Sequence, residues 1–137
     1  MANARGEGAL MALAEDFAAT PYHPIAPLGH GAMGAVYEAE HRTLKRRLVI
    51  KVLREPNRPD LEDRLRLEAQ ALAQLSHPNV LAVVDYARTA SGQPFLVSER
   101  LYGQTLKALV GPTGALPVPV AVKYVQQALL GLSAAHK

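Results

Sequence analysis

Leu28-Gly29-His30-Gly31-Ala32-Met33-Gly34-Ala35-Val36-Tyr37, followed by Leu48-Val49-Ile50-Lys51, is the stretch on which the fold turns. Three glycines at this spacing let a backbone turn lie against phosphates, because a side chain there would hold the chain away from the ligand. The glycines alone are a weak signal. A dinucleotide-binding turn opens a helix, but Val36-Tyr37-Glu38-Ala39 carries no helix start. A P-loop ends in Gly-Lys-Ser/Thr, which Gly34-Ala35-Val36 lacks. What remains is strand, glycine turn, strand. The plain alternative is a flexible hairpin without a ligand.

Lys51 shifts the balance. Residues two apart in a strand share a face, so Lys51 lies with Val49 and Leu53 while Ile50 and Val52 point the other way. A lysine in such surroundings needs an anionic partner, unless it snorkels to water from an edge strand. Glu68 is the candidate partner. It stands three residues from Leu65, four from Leu72 and seven from Leu61 and Leu75, on the apolar stripe of a helix. A carboxylate there is costly unless it is paired. The alternative places Glu68 at the stripe's margin, in water.

The bulk numbers bound the rest. A chain of 137 residues, 49% hydrophobic, can bury one modest core. The net charge of +3 is mild. Arg42, Lys45, Arg46, Arg47 and Lys51 gather around one turn and strand. They lack the aromatic interleaving of a nucleic-acid site, so a solvated turn is expected and no nucleic acid. No cysteine is present, which excludes disulfides and thiolate metal sites and fits a reducing compartment. Ala9 to Ala14 is apolar but closed by Glu15 and Asp16, too short for a signal-peptide core or a span. A chain without membrane contact is therefore expected.

Residues 1–21 read as a mobile leader, with a short helix over Ala9 to Phe17 as the alternative. Ile25–Leu28, Ala35–Glu40 and Leu48–Leu53 read as strands, the last ended by Pro56 and Pro59. Leu61–Leu75 reads as a helix with Asp60 as its N-cap. Val80–Tyr86 and Phe95–Glu99 read as two further strands, joined by a turn at Ser91-Gly92. Thr105–Val110 reads as a short helix. A long helix opens at Pro119, with Ala121, Val125, Ala128, Leu129, Leu132 and Ala135 on one face. Consecutive strands with short turns predict an antiparallel sheet with a helix against it.

In this order the residues resemble the N-terminal part of a eukaryotic-like serine/threonine protein kinase, most similar to the bacterial branch. Gly29, Gly31, Gly34, Val36, Lys51 and Glu68 match the glycine-rich loop, the third-strand lysine and the following helix glutamate. His77-Pro78-Asn79-Val80 resembles the family's link from that helix to the fourth strand. Leu96 to Leu106 resembles the fifth strand, hinge and next helix, and Gln126 to His136 the long helix before the catalytic loop.

The resemblance implies an α+β fold: a kinase N-lobe with a five-stranded antiparallel sheet and one packed helix over residues 22–98, a hinge at 99–104, and two helices of an incomplete C-lobe at 105–137. It implies ATP, with Mg2+ reaching the site only through the nucleotide and C-lobe residues. Gly29, Gly31, Ala32, Met33 and Gly34 would cover the phosphates, and Lys51, oriented by Glu68, would contact the α- and β-phosphates. Leu28, Val36 and Val49 would lie over the adenine. Ser98 would be the gatekeeper, and the backbone of Glu99 and Leu101 would bind the adenine edge. Leu72 resembles a spine residue.

The chain also departs from the pattern. Val49 replaces the usual small residue, and no His-Arg-Asp or Asp-Phe-Gly follows within the 137 residues. The expectation is the ATP-binding portion of a cytoplasmic kinase acting on protein hydroxyls, inactive by itself. The long helix from Pro119 should be left partly bare. The alternative is a non-catalytic, kinase-like binding or regulatory module.

Overall fold

Five strands rich in branched and aromatic residues build the sheet: β1 (Tyr22–His30), β2 (Gly34–His41), β3 (Arg47–Leu53), β4 (Val83–Arg88) and β5 (Pro94–Glu99). The computed structural model describes residues 4–30, 34–53, 55 and 57–136. Pairing is antiparallel throughout, in the order β1-β2-β3-β5-β4. The β4–β5 hairpin thus returns to lay β5 against β3. The helices are α1 (Ala4–Asp16), α2 (Pro59–Ala73), α3 (Leu106–Val110) and α4 (Val118–Ala135). This is the α+β arrangement expected, with each strand end within three residues of its expected position.

Alternation along β3 divides the core in two. Leu48, Ile50 and Val52 point to the outer face and pack with Tyr22, Ala39, Phe95, Val97 and Phe17. Leu53 points to the inner face, where Leu96, Leu65 and Ala69 form a second cluster beneath α2, joined by Leu61, Val83 and Tyr86. The helical stripe read from the sequence is therefore the face that α2 turns to the sheet.

The leader carries the alternative reading, a helix, which among the described residues starts at Ala4 rather than Ala9. It forms α1 and ends on Phe17, which has no exposed surface and sits 4.6 Å, centroid to centroid, from Phe95. Leu13 packs against the same cluster. Polar contacts fix the exit from the helix. Asp16 accepts hydrogen bonds from the Ser91 amide (2.9 Å) and hydroxyl (2.7 Å). The Arg42 guanidinium donates to the carbonyls of Thr20, Phe17 and Tyr22. Arg42 thereby leaves the solvated basic turn to which the sequence assigns it. At the sheet's far edge, the Tyr22 hydroxyl donates to Asp85 at 2.6 Å. Burial first, then Asp85, drives the phenol's pKa well above its usual value.

Asp60 is not the N-cap of α2. That place is taken by Arg58, without a side-chain cap, and Pro59 starts the helix. Asp60 lies in the first turn and pairs with Arg58 at 2.9 Å. That hydrogen bond is the main reason its pKa falls to about 2. A carboxylate in a first turn also meets the positive end of the helix dipole. Pro56 lies outside the described residues.

Thr105 caps α3 by accepting from the Ala108 amide at 3.1 Å. The helix α4 meets the rest of the chain at Gly131, its buried residue. A Cβ there would come within 2.7 Å of the Asn79 carbonyl oxygen. The His77 ring shapes that loop, its Nδ1 accepting from the Asn79 amide at 3.0 Å. Val125, Leu129 and Leu132 are exposed, as expected of the bare face.

Candidate functional site

Strand register brings the residues singled out from the sequence into two adjacent rows on the inner face. Gly29 lies opposite Val36, Val36 opposite Lys51, and Lys51 opposite Leu96. In the next row Glu38 lies opposite Val49 and Val49 opposite Ser98. A glycine, two valines and a lysine from three strands thus share one surface. Directly opposed residues of antiparallel strands have side chains on the same face.

The helix α2 delivers Glu68 to this surface. Leu65 and Ala69, its immediate neighbours on the stripe, are buried against the sheet, which aims the carboxylate at β3. Lys51 Nζ lies 3.3 Å from Glu68 Oε2 and 3.4 Å from Oε1. The side chains keep 27% and 35% of their exposed area. The pair is half-buried rather than sealed in the core, as the sequence had suggested. Water still reaches it, so its contribution to stability is at most about 1 kcal/mol. Its geometric effect is larger: it holds an ammonium in place on a surface that must otherwise lie open.

Two of the glycines do different jobs. A Cβ on Gly29 would meet nothing within 4 Å, so the protein itself does not demand glycine there. A Cβ on Gly34 would collide with the carbonyl of Val52. Gly34 therefore serves the close approach of β2 to β3, a role the sequence reading gave wholly to a ligand. Gly31, Ala32 and Met33 lie outside the described residues.

The remaining predicted residues differ in burial. Leu28 and Leu101 are exposed, and Ser98 is buried. The Ser98 hydroxyl donates to the Glu99 carbonyl at 3.3 Å. The Glu99 amide donates to the Ala82 carbonyl at 3.0 Å, and its side chain accepts from the Ala82 amide at 2.9 Å. Glu99 is thus anchored to the start of β4. Leu72 is half-buried at the end of the stripe.

Two residues were missed by the sequence reading. Glu38 and Arg100 form an ion pair at 3.5 Å, joining β2 to the segment after β5. The available signal was the alternation of Val36 and Glu38, which puts a carboxylate on the inner face. Among the described residues no group of three or more His, Cys, Asp or Glu side chains could hold a metal ion. No helix there is long and apolar enough to cross a membrane.

A family model described as the protein kinase domain matches residues 22–137. A probable serine/threonine-protein kinase of Clostridium perfringens is 36% identical over 118 residues, covering 85% of this chain and 17% of that protein. The serine/threonine-protein kinase PknH of Mycobacterium tuberculosis is 34% identical over 118 residues, covering 85% of this chain and 19% of that protein. The chain spans less than a fifth of the length of these relatives. Among solved structures, the Mycobacterium tuberculosis PknI kinase domain is similar with a TM-score of 0.69 and 28% identity, covering 85% of this chain and 48% of that one.

Proposed function

The chain belongs to the protein kinase domain family, and from that premise we propose that its inner sheet face is the ATP-binding portion of a serine/threonine kinase that phosphorylates protein hydroxyls. The observation that carries this reading is the Lys51–Glu68 pair, standing in register with Gly29 and Val36. The alternative non-catalytic module has no need of an ammonium held by a carboxylate on an open surface.

The residues present fit a nucleotide. The open space around Gly29 admits a phosphate close to the backbone. Lys51 supplies a fixed positive charge, and Glu68 restrains it so that little ordering is left for the moment of binding. Val36 and Val49 offer an apolar surface to a flat base. The exposed Leu101 peptide offers its edge-binding groups, since its N–H has no backbone acceptor among the described residues. Magnesium, when it accompanies the triphosphate, offsets phosphate charge. The base that takes the substrate's proton and the residues that hold magnesium would lie outside these 137 residues. We take residues 22–98 as the first lobe, 99–104 as the hinge and 105–137 as the start of the second lobe, in a cytoplasmic protein.

With one wall of the cleft supplied, the 137-residue chain should bind ATP only at millimolar concentration. Backbone NMR during an ATP titration is expected to move the amides of Gly29, Val36, Lys51 and Leu101 together. Lys51→Met should remove the response at Gly29 and Val36. An unresponsive inner face at saturating ATP would sink the reading. Tight binding would sink the claim that one lobe is insufficient.

A further inference from the structure

Resting on the kinase reading, we propose that Arg100 is a positioning residue that sets the Leu101 peptide for adenine and locks it to the roof of the cleft through Glu38. Three contacts converge on one guanidinium. Nε lies 3.5 Å from Glu38 Oε1. Nη1 donates to the Leu101 carbonyl oxygen. The Tyr102 ring lies beneath Cζ, 4.7 Å from the ring centroid.

The surroundings suit this task. The Arg100 and Glu38 side chains keep 23% and 20% of their exposed area, less than Lys51 and Glu68 keep at the phosphate end. Nε is wholly shielded from solvent and makes no aligned hydrogen bond, so Glu38 is its charge partner at a distance. An ion pair of this kind is an expensive way to gain stability, and its clearer use is to fix a geometry. Arginine suits the place because its planar fork can serve a carboxylate, a carbonyl and an aromatic face at once, as an ammonium cannot.

The consequence is a coupling. Glu38 lies opposite Val49, two pairs along the ladder from Val36 and Lys51 and on the same face. A shift of β2 during closure on phosphates would therefore be felt at the Leu101 peptide, through a link of two side chains. The base end and the phosphate end of the cleft are joined at the roof, independently of α2.

The test is backbone 15N relaxation, measured by NMR on the 137-residue chain without nucleotide. Arg100→Gln should lower the order parameters of the Leu101, Tyr102 and Gly103 amides into the range of a flexible segment, below about 0.6, and leave those of Ile50 and Val97 unchanged. Glu38→Gln should produce a smaller loss of order at the same amides. The double variant should match Arg100→Gln alone, because Glu38 acts through the guanidinium. Tyr102→Phe should behave as the parent chain, and Tyr102→Ser should not. Unchanged order in Arg100→Gln, or strictly additive effects, overturns the proposal. If Arg100→Gln also loosens Ile50 and Val97, Glu38→Gln and the Tyr102 pair decide.

A second arm separates this idea from the kinase reading. Millimolar adenosine should move the Leu101 amide in the parent chain but not in Arg100→Gln, while tripolyphosphate should move Gly29 and Lys51 equally in both. Equal loss of both responses overturns the positioning role. If neither ligand moves any amide of the parent chain, the kinase reading fails, and the relaxation result still judges the link between Arg100 and Glu38.

Discussion

The carbonyl of Val52 occupies the space that any side chain on residue 34 would need. Strands β2 and β3 close on each other at this point, where Gly34 faces Leu53 in register. The third glycine of the hairpin is therefore fixed by the sheet before any ligand is considered.

Gly34→Ala should accordingly destabilise the fold by about 2 kcal/mol, since a rigid backbone carbonyl must move to admit the methyl group. Gly29→Ala should leave stability nearly unchanged and weaken only phosphate binding. Urea denaturation of the two variants checks the contrast. Equal stability losses would show that the hairpin, and not the Val52 carbonyl, sets the requirement.

Lys51→Met should keep the fold, with a change in unfolding free energy of no more than about 1 kcal/mol, because the ion pair it removes is half-exposed. In a protein that carries these residues together with a catalytic loop, the same change should abolish phosphotransfer. Radiolabel transfer from ATP to a protein acceptor measures it. Undiminished transfer would contradict the role given to Lys51.

Phe17→Ala should cost about 3 kcal/mol, the usual scale for removing a fully buried aromatic ring. The loss should appear as undocking of α1, read as new exchange at Leu13 and Phe95, with the Lys51–Glu68 surface intact. A variant as stable as the parent would mean that α1 is held by something other than this ring.

The docking of α1 should also respond to acid. Burial acts to raise the pKa of Asp16, but hydrogen bonds from Ser91 and Thr89 outweigh it and leave the group below its ordinary value of 3.8. A carboxylate lowered by folding stabilises the folded state above its unfolded pKa, and that contribution is lost as pH falls through the folded one. The Ser91 amide shift should therefore be constant above about pH 5 and change only below pH 4. Asp16→Asn should remove the transition. A Ser91 shift indifferent to acid would disprove the link.

The parts of the site that the sequence makes legible are those with a local pattern. Glu68 stands out because a charge interrupts a leucine stripe, and Lys51 because a charge interrupts a branched strand; the structure brings the two within 3.3 Å. The leader was harder to read. Its alanines and glycines blur the periodicity, yet Leu10, Leu13 and Phe17 stand at helical spacing. The partner of Phe17 is Phe95, and nothing local links residues so far apart. The Gly34–Val52 collision, the approach of Gly131 to Asn79 and the Glu38–Arg100 pair are likewise products of tertiary register, which depends on which strands become neighbours.

The cover that α1 lays over the outer sheet has a practical corollary. The matched family region opens at residue 22, so a fragment trimmed to that boundary discards Phe17 along with Leu13 and bares a patch of ring and branched carbons around Phe95, Ile50 and Val52. Such a patch seeks any apolar surface on offer. Samples shortened this way should clump on concentration, while those keeping the first residues stay monodisperse.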